Sequence, residues 1–110
     1  MTRPDHRQAS GMPLQVLLVE DSPGDARLTR DAFVEANDKV YLSVAVDGAE
    51  AMAFLRHEGD YGDSPDPDLI LLDLNLPKMD GRQVLAEIKE DERLRSIPTI
   101  ILTTVDEPGA

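Results

Sequence analysis

Asp68-Leu69-Ile70-Leu71-Leu72-Asp73-Leu74-Asn75-Leu76-Pro77 is the stretch that decides the fold. An unbroken apolar run of this length, bounded by turn formers, suits a parallel strand covered on both faces. It delivers one carboxylate, Asp73, to its C-terminal end, and in open α/β sheets ligands gather beyond the carboxyl ends of the strands. A second run, Leu14-Gln15-Val16-Leu17-Leu18-Val19, ends the same way in Glu20-Asp21. If the two strands are neighbours, three carboxylates converge, and like charges a few Å apart repel by roughly a few kcal/mol per pair at an effective dielectric near 20. Such a cluster calls for a cation or shared protons. All-oxygen ligation with room for water matches Mg²⁺, which prefers octahedral geometry at about 2.0–2.1 Å and keeps several waters. The chain has no cysteine to favour a softer metal.

Acids after a strand also serve as caps of the following helix, so Glu20-Asp21 alone leaves capping and ligation both open. Ser22-Pro23-Gly24-Asp25 already supplies an N-cap serine, a proline at the first helical position and an acid at the third. That helix has no need of the preceding pair.

Working outward, strand and helix alternate: strand 14–19, helix from Pro23 to about Ala36, strand 40–46, helix from Gly48 to about His57. In the first helix Leu28, Ala32, Phe33 and Ala36 form a stripe expected to face the core, and in the second Ala49, Met52, Ala53 and Leu55 do. Asp47-Gly48-Ala49-Glu50 opens the second helix as a capping box. The alternating pattern of Val40 to Val46 marks a less buried edge strand. Residues 58–67 form a turn-rich acidic loop, expected to be a solvated connector. After Met79-Asp80-Gly81 comes a helix with Val84, Leu85 and Ile88 on its apolar face. The last element, from Ile97, is a buried strand ending in the hydroxyls of Thr103 and Thr104. His6 and His57 are read as surface residues rather than phosphocarriers or ligands.

A chain of 110 residues makes one domain with a single core. Residues 1–12 lack apolar periodicity and read as a flexible leader, leaving 13–110 as the domain. No apolar run approaches the roughly 18 residues of a membrane span, and nothing resembles a signal peptide, so the cytoplasm is the expected compartment and no membrane partner is expected. A formal charge of −11, with lysine only at 39, 78 and 89, argues against direct nucleic-acid binding, which neutralises phosphates with Lys and Arg. Neither a Gly-x-Gly-x-x-Gly nor a Walker-type loop is present to bind a nucleotide.

Glu20-Asp21 after the first strand, Asp73 ending the third, Leu76-Pro77 and Met79-Asp80-Gly81 beyond it, and Thr103 ending the fourth together resemble the receiver domain of two-component response regulators. The wording around Asp73, with the acidic loop before it, is most similar to single-domain regulators associated with phytochrome-type histidine kinases. The resemblance implies a doubly wound, flavodoxin-like α/β fold with strand order 2-1-3-4. It implies a non-enzymatic phosphorelay module that takes a phosphoryl group from a sensor histidine kinase. Asp73 would be the phosphoacceptor, Glu20 and Asp21 would hold Mg²⁺ directly or through water, and Asn75 would add a backbone carbonyl. Thr103 would bond the phosphoryl oxygen and the Thr104 amide would be a second donor. The family also carries a lysine on a fifth strand and a fifth helix; no lysine follows Lys89, so the chain is expected to be either a fragment of a receiver, the reading favoured by its intact site residues, or a receiver that has lost normal switching, and in both cases open to self-association.

Two rivals remain beside that reading. Aspartate-nucleophile phosphohydrolases also place Asp at a strand end and use Mg²⁺, but want Asp-x-Asp where this chain has Asp73-Leu74-Asn75, which leaves no second carboxylate for acid/base work. The missing lysine fits a phosphorylation-independent interaction module.

Overall fold

The computed structural model describes residues 13–36, 39–74, 76 and 81–102. Strands β1 (Leu14–Val19), β2 (Val40–Ala45), β3 (Leu69–Asp73) and β4 (Thr99–Leu102) alternate with helices α1 (Pro23–Glu35), α2 (Gly48–Arg56) and α3 (Gly81–Glu90). The strands form one parallel sheet in the order β2-β1-β3-β4. This is the doubly wound α/β arrangement expected from the sequence, with β2 at an edge. The two central strands are the unbroken apolar runs, and Leu17, Leu18, Val19, Ile70 and Leu72 are wholly buried.

The two faces of the sheet are covered unequally. On one face Leu17, Val19, Ile70 and Leu72 pack with Met52 and Leu55 of α2, Val84 and Ile88 of α3, and Leu94. On the other, Val16, Leu18 and Leu71 meet only partly buried neighbours, among them Ala26 and Phe33 of α1.

Local chemistry fixes the helix starts as the sequence reads. Ser22 caps α1 by accepting a hydrogen bond from the Asp25 amide at 3.2 Å, with Pro23 in the first turn. Asp47 caps α2 by accepting from the Glu50 amide at 2.8 Å, while Glu50 accepts from the Val46 amide at 2.7 Å.

The packing corrects four expectations. No residue of α1 is buried: Leu28 is 66 % exposed, Ala32 and Ala36 are exposed, and Phe33 is half-buried. The stripe is present, but most of it faces a groove of about 440 Å³ rather than a covering element. In α2 the buried face is Ala51, Met52, Phe54 and Leu55, with Ala49 exposed. Phe54 is part of that face, its ring centroid 5.6 Å from that of Tyr61. β4 is partly buried rather than buried, with Ile100 half-exposed, because β3 is its one strand partner among the described residues. Val46 lies beyond the end of β2 and is exposed.

The acidic connector is more built than a solvated loop. His57 ends α2 in the left-handed region at φ 59°. Its ring, half-buried rather than on the surface, contacts Ser64 Oγ at 3.0 Å through Nδ1 and Asp66 at 2.8 Å through Nε2. Ser64 Oγ lies within hydrogen-bond distance of the Phe54 and Tyr61 carbonyls, and Arg93 donates to Asp66 at 3.1 Å. The Tyr61 hydroxyl donates to Glu50, which holds the phenol proton and pushes its pKa up to about 12.

Candidate metal and phosphoryl site

Register brings the acids together. β1 pairs with β3 so that Val19 stands opposite Leu72, which places Glu20, the next residue, opposite Asp73. The Glu20 amide donates to the Ala45 carbonyl at 2.9 Å, holding the end of β1 against β2. One oxygen each from Glu20, Asp21 and Asp73 lies within 4.8 Å of the others. Glu20 is 7 % exposed and Asp73 3 %, whereas Asp21 is open to solvent. The cluster therefore has two walls and a wet mouth.

Burial is the main reason that the Glu20 carboxyl is pushed up to about 7; the negative charge of Asp73 and a hydrogen bond between the two side chains add to it. The Ser22 amide, donating to Glu20 Oε2 at 3.2 Å, works the other way. Burial first, and the neighbouring acid second, favour the protonated form of Glu20. The donor set consists of carboxylate oxygens alone, with one ligand facing water, and it fits a hard divalent cation.

Beside the acids a cleft of about 730 Å³ runs between α1 and the end of β2, with Glu20 and Asp21 at one end and Arg27, Arg30 and Val46 along it. Sequence reading brought Glu20, Asp21 and Asp73 together correctly. Asn75, Thr103 and Thr104 lie outside the described residues. It missed two main-chain features: the Ser22 amide on Glu20, and the close approach of Gly81 to the Asp73–Leu74 backbone. The Asp-Gly dipeptide at a helix start was the available signal for the second.

A sheet of this order, with an acidic trio at its carboxyl edge, defines a class, and comparison with known proteins supplies the family. The response regulator receiver domain family matches residues 16–109, and the chain belongs to it. It is 52 % identical to response regulator Rcp1 of Synechocystis over 95 residues, covering 86 % of this chain and 65 % of Rcp1. It is 45 % identical to the probable methanogenesis regulatory protein FilR2 of Methanothrix harundinacea, covering 84 % of this chain and 59 % of that protein. The chain thus spans about three-fifths to two-thirds of the length of these relatives. Among solved structures, the Mn²⁺-bound form of Rcp1 aligns with TM-score 0.81 at 50 % identity, covering 86 % of this chain and 68 % of that one. The phosphorylated cyanobacterial phytochrome response regulator RcpA aligns with TM-score 0.80 at 48 % identity, with the same coverage. Receiver domains are signalling modules that interact with histidine kinases. No helix among the described residues is long and apolar enough to cross a membrane.

Proposed function

We propose that this chain is the phosphoacceptor module of a cytoplasmic two-component relay and that Asp73 takes the phosphoryl group. The observation that carries the reading is the gathering of Glu20, Asp21 and Asp73 oxygens within 4.8 Å at the carboxyl edge of the sheet. Among the three, Asp73 is the last residue of a central strand and stands opposite Leu102 of β4, while its neighbour Leu72 pairs with Val19 of β1. Its similarity to a protein solved with Mn²⁺ and to one solved phosphorylated supports both halves of the proposal.

Glu20, Asp21, Asp73 and the Asn75 carbonyl would hold Mg²⁺, which when bound neutralises charge on an incoming phosphoryl group. An Asp73 oxygen attacks phosphorus as the P–N bond of a phosphohistidine breaks. The electron pair returns to the imidazole nitrogen, and an acyl phosphate remains on Asp73. Glu20 must give up its proton before it can ligate, and the solvent-facing mouth at Asp21 lets that proton leave. Phosphorylation adds about −1.5 to −2 charges and three acceptor oxygens, which the Thr103 hydroxyl and the Thr104 amide would bond. The downstream partner is another protein.

The chain incubated with Mg²⁺ and acetyl phosphate is expected to gain one phosphoryl group, mapped to Asp73 by mass spectrometry, and Asp73→Asn is expected to gain none. Label on Glu20, Asp21 or a histidine instead overturns the assignment. Continuous turnover of the phosphodonor marks a hydrolase, and no reaction marks a phosphorylation-independent interaction module.

A further inference from the structure

Gly81 begins α3 and is buried, and its place is set by main chain rather than by side chains. A Cβ at this position would lie 2.5 Å from the Asp73 carbonyl oxygen, 2.5 Å from Leu74 Cα and 3.0 Å from the Leu74 carbonyl carbon. None of these atoms can rotate away. The Gly81 amide also donates to the Leu74 carbonyl at 3.3 Å, so the chain leaving β3 is closed against the start of α3. Gly24 and Gly62 have no such constraint, since a Cβ on either finds its nearest neighbour at 4.0 Å.

We propose that Gly81 is a positioning residue for Asp73: a bare Cα lets α3 start against the Asp73–Leu74 peptide and so fixes how the Asp73 carboxylate leaves the strand toward Glu20 and Asp21. The proposal rests on the phosphoacceptor reading above. To relieve a 2.5 Å contact to the ordinary 3.4 Å, the Asp73–Leu74 peptide and the start of α3 must part by about 0.9 Å. Catalytic and metal constellations tolerate about 0.5 Å, and a misplacement of about 1 Å can cost on the order of a hundredfold in rate. Gly81 is the first residue of α3, so the strain of an added Cβ falls on the junction with Asp73 and Leu74 rather than on the body of the helix. Fold stability and site function are therefore expected to separate in the variant.

The test compares the full chain with Gly81→Ala and with Gly62→Ala as a control. It reads the thermal melt, free Mn²⁺ by electron paramagnetic resonance during titration, and the rate of labelling by acetyl phosphate. Gly81→Ala is expected to melt cooperatively, to bind Mn²⁺ at least tenfold more weakly and to be labelled about a hundredfold more slowly, with Gly62→Ala matching wild type. Should Gly81→Ala give no cooperative melt, Leu74→Gly is compared with Leu74→Gly/Gly81→Ala, because glycine at 74 gives the peptide room to move. The same Mn²⁺ weakening is expected between that pair. A folded Gly81→Ala, or a folded double variant, with the Mn²⁺ affinity and labelling rate of its parent overturns the positioning role. A wild type that neither binds Mn²⁺ nor is labelled overturns the phosphoacceptor reading itself, which is a distinct result.

Discussion

At the scale of single residues, Glu20 has the least ordinary environment of the acids. Buried and facing Asp73, it holds its proton to about pH 7, against an ordinary value of 4.5. A folded value above the unfolded one means that its contribution to stability is complete below about pH 4.5 and is lost as pH rises through about 7. We expect the metal-free protein to lose melting temperature relative to Glu20→Gln as pH climbs from 5 to 7.5, because the glutamine never ionises. Added Mg²⁺ should restore the wild type at pH 7.5, and its apparent affinity should rise with pH until Glu20 is ionised. Scanning calorimetry in EDTA and in Mg²⁺ would measure both effects. A wild-type minus Glu20→Gln difference that does not vary with pH would show that Glu20 is ionised throughout.

At the scale of elements, the structure separates what periodicity encodes from what it does not. The bounds of β1 and the convergence of Glu20, Asp21 and Asp73 were legible because parallel βα units put every strand's carboxyl end on one edge. The buried faces of α1 and α2 were not. A stripe of Leu28, Ala32, Phe33 and Ala36 says which side of a helix is apolar, but not whether a neighbour covers it. The loop network was equally hidden, because Arg93 reaches Asp66 across 27 residues and nothing local encodes that pairing. Tyr61 tests how much this loop matters. Its hydroxyl bonds Glu50 at the start of α2 while its ring lies on Phe54, so Tyr61→Phe removes the bond and keeps the packing. Hydrogen bonds to charged groups are worth about 1.5–3 kcal/mol, and a half-buried one belongs at the low end. A loss of about 1 to 2 kcal/mol lowers the melting temperature by roughly 4–8 °C in a domain of this size, and limited proteolysis between 58 and 68 should speed up. An unchanged melt and cleavage pattern would mean that the loop is held by the His57, Ser64 and Arg93 contacts instead. The phenol keeps its proton to about pH 12, so its ionisation should not erode the difference between neutral pH and about pH 10.

At the scale of the whole molecule, the unequal faces of the sheet set two forces against each other. One face is closed by α2, α3 and Leu94, while on the other α1 leaves Leu28 and Val34 more than half exposed. An apolar groove lined by Leu28, Ala32, Phe33 and Leu71 opens on that side, and Ile100 is half-exposed on β4, which pairs only with β3 among the described residues. An open strand edge beside apolar surface invites pairing with another chain. Opposing it is a formal charge of −11, which repels a second copy over distances that salt shortens to about 10 Å at 0.1 M and about 3 Å at 1 M. Any association of this chain would then depend on salt and concentration together. We expect sedimentation equilibrium to find mostly monomer in dilute protein at 0.05 M NaCl and dimers or larger species as both protein and NaCl are raised. The melting temperature should then vary with protein concentration at high salt alone. Ile100→Lys places a charge on the exposed strand and should suppress association while leaving the buried core, and hence the dilute-solution melt, almost unchanged. A monomer at every concentration in 1 M NaCl would mean that the groove and the strand edge are too small or too uneven to hold a second chain. Association that instead weakens with salt would place the contact in charge pairing, away from both.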